Sequence, residues 1–479
     1  MRRRVGTLAV LGLLLTSACG SRLPAGTLAQ LDAAKVGTGS GATAATTGAV
    51  NAPLAGNTAT GPGATLAGNQ LGGGGSSGGT SPTSAGGSGV AGSNAAACAS
   101  AKSAAPGVTD KEIKVASIVT DSGPLPGATE GAYRGAASYF AMVNAEGGVC
   151  GRKITLLKGD DGLDPAKARS EFLRLEPDVF GFVGAFAVAD SGYLDLIKST
   201  AVPYISLVVD PNGRNFRGVM PKVTADYVAT GPYVWWKRQH PSVKKAALLY
   251  ADIGGVAANI KGTVEAMKQA GFDLAYPPVA VNVASPDYTP EVRQAQNAGV
   301  QFLYLFAFEV NMQVRFVRNM LQQNYNPPIK GANIAFNTRF SQLLGKDGDG
   351  WEDNTAYLLF LDPAERNRSR ALAQFVDWNN RVFPGAQLDL FPESGWGHAA
   401  MFVQAMQRIR GSITREALIN AAYQVPTYDA GGIEPQINPT NGLGPPCWAM
   451  AVARNGGWVR EYPSNKLFEC SIGKLYKFQ

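Results

Sequence analysis

From residue 106 onward, short continuous apolar runs alternate with stretches in which apolar residues recur every three or four positions. The runs at 113–120, 153–157, 179–183 and 203–209 predict strands. The pattern then restarts, and 246–250, 274–283, 301–306 and 329–336 predict a second set. Between the first two strands, Ala132, Ala136, Phe140 and Val143 share one face of a helix that stops at Gly147-Gly148. Asp164 before Pro165 predicts an N-cap with proline at the first helical position, which puts Ala168, Phe172 and Leu175 on one face. An aromatic-rich helix with Trp235 and Trp236 follows Thr224. Further helices are expected to start near Gly255, Pro290 and Glu309 and to span 369–381, 394–410 and 414–423. Asn455-Gly456 marks a two-residue hairpin turn between 448–453 and 458–460.

Apolar strands alternating with amphipathic helices imply parallel sheets covered on both faces. The restart implies two such sheets. The expected fold class is therefore α/β, with two doubly wound Rossmann-like lobes joined by a hinge. Ligands of open parallel sheets bind beyond the carboxyl ends of the strands. Two facing lobes then form a cleft from the loops 121–127, 184–191, 209–212, 306–309 and 337–340.

Composition changes the picture at the N-terminus. The chain has 58 glycines in 479 residues, and the excess lies in 20–105, which is mostly Gly, Ala, Ser and Thr. Such a segment buries too little apolar surface to offset its ordering entropy, so 19–105 is expected to be a disordered tether. As a Gly-rich coil of about 85 residues it spans on the order of 50 Å. Ahead of it, Arg2, Arg3 and Arg4 precede an apolar stretch from Val5 to Leu15 that is too short to span a bilayer. Residues 1–18 read as a signal peptide. Thr16-Ser17-Ala18-Cys19-Gly20 resembles a bacterial lipobox, which implies a diacylglycerol on Cys19 and an extracytoplasmic, membrane-anchored protein. The same three small residues fit an ordinary signal-peptidase site, so a soluble secreted protein stands as the other reading. With Cys19 lipidated, four of the five cysteines remain, an even number suited to an oxidising compartment. Setting the three targeting arginines aside takes the formal charge from +7 to +4, and the remaining charges are interspersed, so no nucleic-acid partner is expected.

One succession of segments points to a family. It comprises Ile113-Lys114-Val115-Ala116-Ser117-Ile118-Val119-Thr120, Gly123-Pro124-Leu125, Val143-Asn144-Ala145-Glu146-Gly147-Gly148, Gly151-Arg152-Lys153-Ile154, Asp160-Asp161 with Asp164-Pro165, Phe182-Val183-Gly184 and Val202-Pro203-Tyr204-Ile205-Ser206. Their order and spacing resemble branched-chain amino acid-type solute-binding proteins of ABC importers, from about Val108 to the C-terminus. The resemblance implies a type I periplasmic-binding fold with crossings between lobes near residues 228, 357 and 436. Residues 106–228 plus 358–436 would form one lobe, and 229–357 plus 437–479 the other. It also implies hinge closure on a ligand, docking on permease subunits, a monomer, and no cofactor.

Amino acid binders of that family hold the ligand carboxylate with Ser or Thr hydroxyls after the third strand. Here that loop carries Phe186, Ala187 and Val188, and Ile253 stands where an aromatic commonly covers the ligand. The expected ligand is therefore a small apolar or aromatic molecule with one polar end. The candidate ligand-binding residues are Leu125, Phe186, Ala187, Val188, Asp210, Ile253, Phe306, Phe308, Glu309 and Arg339. Phe306 ends an apolar strand and reads equally as core. Asp210 reads equally as a cap before Pro211. Arg339 reads either as a surface charge or as the planar partner of a ligand carboxylate.

Other chemistry is weakly signalled. Asp160, Asp161 and Asp164 lack further metal ligands and fit strand-end solvation and capping. Asp347-Gly348-Asp349-Gly350 fits an ordinary turn. The two histidines are His240, before Pro241 at a surface turn, and His398, near a helix start. The folded body has no G-x-S-x-G elbow, so an enzyme is disfavoured. A binding protein for an importer is the first expectation, and a sensing receptor of the same fold is the alternative. Among three possible cysteine pairings, Cys98–Cys150 and Cys447–Cys470 are expected. Cys98 and Cys150 precede the first and second strands, and Cys447 and Cys470 flank the hairpin.

Overall fold

Strand β1 (Glu112–Val119) is buried without interruption from Val115 onward, as a strand covered on both faces must be. The computed structural model describes residue 98 and residues 102–223 and 227–478, so the readings at Cys19, the signal peptide and most of the tether lie outside the described residues. β2 (Lys153–Asp160) pairs parallel to β1 from Glu112↔Lys153 to Val119↔Asp160. β3 (Phe182–Val183), β4 (Tyr204–Ile205) and β5 (Val219–Met220) complete a parallel sheet of order β2-β1-β3-β4-β5. Helices α1 (Glu130–Ala145), α2 (Pro165–Leu175) and α3 (Leu194–Thr200) connect these strands. The Asp164 carboxylate accepts the Ala166 and Lys167 N–H groups, so α2 begins as its sequence dictates.

The chain then runs through β6 (Tyr227–Ala229) and α4 (Gly231–Gln239) into a second sheet. Here β7 (Lys245–Ala251), β8 (Asp273–Leu274), β9 (Val279–Val281), β10 (Phe302–Phe306), β11 (Ile329–Ala332) and β12 (Trp351–Thr355) alternate with α5 (Val256–Gln269), α6 (Thr289–Asn297), α7 (Val310–Gln322) and α8 (Thr338–Leu344). It returns to the first sheet as α9 (Arg370–Val382), α10 (Leu390–Met406) and α11 (Arg415–Tyr423). Finally β13 (Ala449–Arg454) and β14 (Gly457–Tyr462) extend the second sheet antiparallel, giving β14-β13-β12-β11-β10-β7-β8 with β9 beside β7. β15 (Leu475–Lys477) pairs antiparallel with β6 as a separate two-stranded ribbon. No helix among the described residues is long and apolar enough to cross a membrane.

Three differences from the sequence pattern have physical causes. The run 274–283 is two short strands, because Pro277 and Pro278 cannot donate to a ladder. The helix expected from residue 394 starts at Leu390, capped by Asp389, with Pro392 inside its first turn, where a missing N–H costs nothing. β12, Trp-Glu-Asp-Asn-Thr, is a strand despite its acids, since the buried Asp353 carboxylate accepts the Phe336 N–H at 2.8 Å. The hairpin turn has φ of 55° at Asn455 and 74° at Gly456, and the Asp349 carboxylate accepts both their N–H groups.

Both expected disulfides are present, Cys98–Cys150 and Cys447–Cys470. α10 lies against α1 at backbone contact. A Cβ on Gly135 would stand 1.8 Å from the Pro392 carbonyl oxygen, and one on Gly395 1.8 Å from that of Ala132. This close approach fixes the first turn of α10 beside that of α1. An aromatic ladder, Phe336–Phe360–Phe375–Trp396–Tyr139, links the second sheet to the helices of the first at centroid distances of 4.9–5.5 Å.

Candidate ligand-binding site

Between the two sheet-and-helix lobes lies a cavity of about 290 Å³. The first lobe lines it with Pro126–Ala128, with Glu130 and Arg134 of α1, and with residues 385–387 and 389–391 leading into α10. The second lobe contributes Glu309 and Val310 at the start of α7, Ile334, and Asn337 and Arg339 at the start of α8. The wall is thus built from strand-end loops and helix first turns, where parallel sheets place ligands.

Its charges are not equally engaged. Glu130 pairs with Arg134, one turn on, and accepts Lys158 Nζ at 3.0 Å. Lys158 Nζ also donates to Asp121 at 2.8 Å. Glu309 caps α7, accepting the Asn311 N–H at 2.9 Å and its Nδ2 at 2.8 Å. Burial raises its carboxyl above the usual range, against those donors and the pull of Arg339. Asp389 is pushed up to about 6 by burial, opposed by the Phe391 N–H and Arg134. All three carboxylates therefore have donors. The guanidinium groups are less fully met: Arg134 has Glu130 as its one acceptor among the described residues. Arg134 Nε is buried with no hydrogen-bond partner. The half-buried Arg339 side chain makes neither a hydrogen bond nor an ion pair among the described residues. The unmet hydrogen-bonding capacity of this cavity is cationic.

Of the ten residues expected to touch ligand, Glu309 and Arg339 line the cavity. Phe186 is half-buried and meets Phe391, a cavity residue, edge to face at 4.9 Å. Leu125 is buried in the core beside Pro126, and Ala187 is buried in the first lobe's core. Phe306 is half-buried against the second lobe's core. Phe308 corrects the expectation of a cleft position. It is 0% exposed, packed on Tyr288 and Phe316, because Ala307 at φ 56° turns the chain back after β10. Val188, Asp210 and Ile253 sit where loops of the two lobes meet. There a Cβ on Gly254 would stand 3.2 Å from the Val188 carbonyl oxygen, and one on Gly255 3.1 Å from that of Val209. Asp210 caps the turn at 211–213, accepting the Asn212 N–H at 2.9 Å. His398 is buried within α10, its ring pushed down to about 4 by burial.

Glu130, Arg134, Asp389 and Phe391 were missed by sequence reasoning. Two signals for them exist. Glu130 and Arg134 are an i,i+4 opposite-charge pair at a helix start. Asp389 is an acidic N-cap two residues before its N–H partner Phe391, masked by Pro392.

A profile of the family described as periplasmic binding protein matches residues 112–457. The Leu/Ile/Val-binding protein of Citrobacter freundii is 41% identical over 251 residues, which is 50% of this chain and 66% of that protein's length. The chain thus spans just under two thirds of this curated relative. Among solved structures, a fatty acid ABC transporter substrate-binding protein from Thermomonospora curvata superposes with a TM-score of 0.63 at 22% identity, covering 78% of this chain and 95% of that one. A solute-binding protein from R. palustris in complex with benzoate superposes with a TM-score of 0.58 at 13% identity, covering 73% and 95%. At these identities the structures establish the fold, the two-lobed type I periplasmic-binding architecture.

Proposed function

The chain belongs to the periplasmic binding protein family, and from that membership we propose that it captures a small organic acid in the interlobe cavity and delivers it to an ABC importer. The single observation that carries this reading is Arg339, a cationic fork on the cavity wall whose side chain makes no hydrogen bond or ion pair among the described residues. A carboxylate matches that fork bidentately. The first turns of α1, α7 and α10 add the partial positive charge of helix N-termini on the same cavity. Pro126, Val310, Ile334, Leu390 and Phe391 supply apolar surface for the ligand's organic body. This wall is more polar than the one expected from Phe186, Ala187 and Val188. The molecules in the names of the similar proteins are branched-chain amino acids, a fatty acid and benzoate, and all bear a carboxylate.

In this reading residues 106–228 plus 358–436 and residues 229–357 plus 437–479 are the two lobes, and they close by hinge motion. The protein works as a monomer, without a cofactor. Residues 1–18 are removed, Cys19 carries a diacylglycerol, and 19–105 tethers the body to the outer face of the membrane, within reach of the permease. Replacing Cys19→Ala is expected to move the protein from the membrane to the soluble fraction, and an unchanged distribution would refute the anchor. For the site, a thermal-shift panel of carboxylic acids and their amides is the test. Stabilisation at about a hundredfold excess over Kd is near 2.7 kcal/mol. Acids are expected to give that shift with the wild type and at most about half of it, near 0.4–1.4 kcal/mol, with Arg339→Ala at the same concentration. Equal shifts from acids and amides would overturn the reading.

A further inference from the structure

The two helices whose first turns meet across the cavity are bonded through their caps. Asp389 Oδ1 accepts the Phe391 N–H at 2.9 Å and so caps α10 in the first lobe. Its other oxygen, Oδ2, accepts Asn337 Nδ2 at 3.1 Å from the second lobe. Asn337 Oδ1 in turn accepts the Arg339 N–H at 2.7 Å and caps α8. Beside this relay, the Thr338 N–H and Oγ1 both donate to the Leu388 carbonyl oxygen, at 3.3 and 3.1 Å. Asn337 is 6% exposed, so the relay is shielded from water. Both ends of its amide are engaged, one as donor and one as acceptor, and this defines the orientation of the side chain.

We propose that Asp389 is a positioning residue for the ligand anchor: through Asn337 it fixes the first turn of α8, and with it Arg339, against the opposite lobe. The inference deepens the reading of the cavity as an acid-binding site and rests on it. A guanidinium on a two-turn helix is directed only as well as that helix is held. α8 is seven residues long, too short to be stable by itself. Its N-terminal turn is tied to the lobe that lines the facing cavity wall. The anchor is therefore set by lobe closure as well as by its own backbone, and an acid held by Arg339 is held in the closed form.

The geometry permits an exchange test, because Asp and Asn are equally good N-caps. Asn337→Asp places two buried carboxyls face to face, and at pH 8 and above, beyond the range where burial keeps Asp389 protonated, it removes the only donor of the pair. Asp389→Asn keeps the α10 cap. The double variant Asn337→Asp with Asp389→Asn restores the bond in reverse while keeping both caps. Backbone hydrogen exchange is read by mass spectrometry on the full chain, without added ligand. In Asn337→Asp, exchange across 338–344 is expected to rise at least tenfold, and in the double variant to return to within threefold of wild type. Exchange in the first turn of α10 stays unchanged in Asp389→Asn. Phenylglyoxal labelling of Arg339 reads positioning itself and follows the same order. A double variant that fails to restore protection, or labelling of Arg339 that is the same in all four proteins, overturns the proposal. Neither readout requires the cavity to bind an acid. Failure of the acid-binding reading would instead appear as an Arg339→Ala variant with unaltered shifts from carboxylic acids.

Discussion

The two sides of the interlobe cleft solve opposite problems. On one side, the loops after β3, β4 and β7 meet backbone to backbone at Val188, Val209 and Gly254-Gly255. Their polar groups are met internally. The buried Asp190 carboxylate accepts the Val209 and Asp210 N–H groups, and Asp161 accepts the Ala189 N–H and the Thr120 hydroxyl. On the other side, the first turns of α1, α7, α8 and α10 enclose a cavity in which the Arg339 guanidinium has no hydrogen-bond or ion-pair partner among the described residues and Arg134 Nε is unmet. Aromatic and aliphatic residues at strand ends drew attention to the first side, yet they pack. A ligand site is marked by donors or acceptors the protein leaves unmet, because an unmet buried group is costly and the ligand removes that cost.

This contrast can be broken or sharpened by substitution. The largest effect is expected from Phe308→Ala. It empties a core position and is expected to lower unfolding free energy by about 3–5 kcal/mol in urea titration. The set of acids bound at low temperature should stay the same. A change of ligand preference with little loss of stability would return Phe308 to the cavity. Next comes Arg339→Ala, expected to weaken acid binding by about 1.5–3 kcal/mol, roughly 10- to 100-fold by calorimetry, with melting of the unliganded protein almost unchanged.

Third is the pH dependence of stability. Asp190 on the packed side and Asp353 within β12 are both pushed up to about 7 by burial. Such groups bind protons more tightly folded than unfolded. Their contribution is full below about pH 4 and is lost as pH rises through about 7. Unfolding free energy is therefore expected to fall between pH 5 and pH 8, and Asp190→Asn should flatten the slope. A rise over that window would contradict the assignment. The smallest effect is expected for Phe186→Ala, which removes one edge-to-face contact with Phe391, worth about 0.5–1.5 kcal/mol. It should loosen acid binding by less than the Arg339 change.

How far the sequence reveals this molecule follows from the same contrast. Periodicity reports burial within one element, so β1, β7 and β10 coincide with apolar runs and α2 with its cap signal. The cysteine pairs are legible because their positions flank elements that must be neighbours. β12 is not legible, since the partners that make its acids tolerable, Phe336 for Asp353 and Trp236 for Glu352, come from elsewhere in the chain. Glu309 and Arg339 are visible as residues just past strand ends. Arg134 and Asp389 reach the cavity only because Gly135 and Gly395 let α1 and α10 touch, a contact between residues 260 apart that no local pattern encodes. Phe308 misleads because a single positive φ at Ala307 reverses its direction.

The central claim is that an unpaired arginine on the cavity wall selects a carboxylic acid. Its most direct test is mass spectrometry of the small molecule released by denaturing the protein purified from its own cells, with Arg339→Ala prepared in parallel. The account predicts a carboxylic acid in amounts equimolar with the wild-type chain and absent from the variant. A neutral or cationic molecule, or an acid retained equally by both proteins, would contradict it.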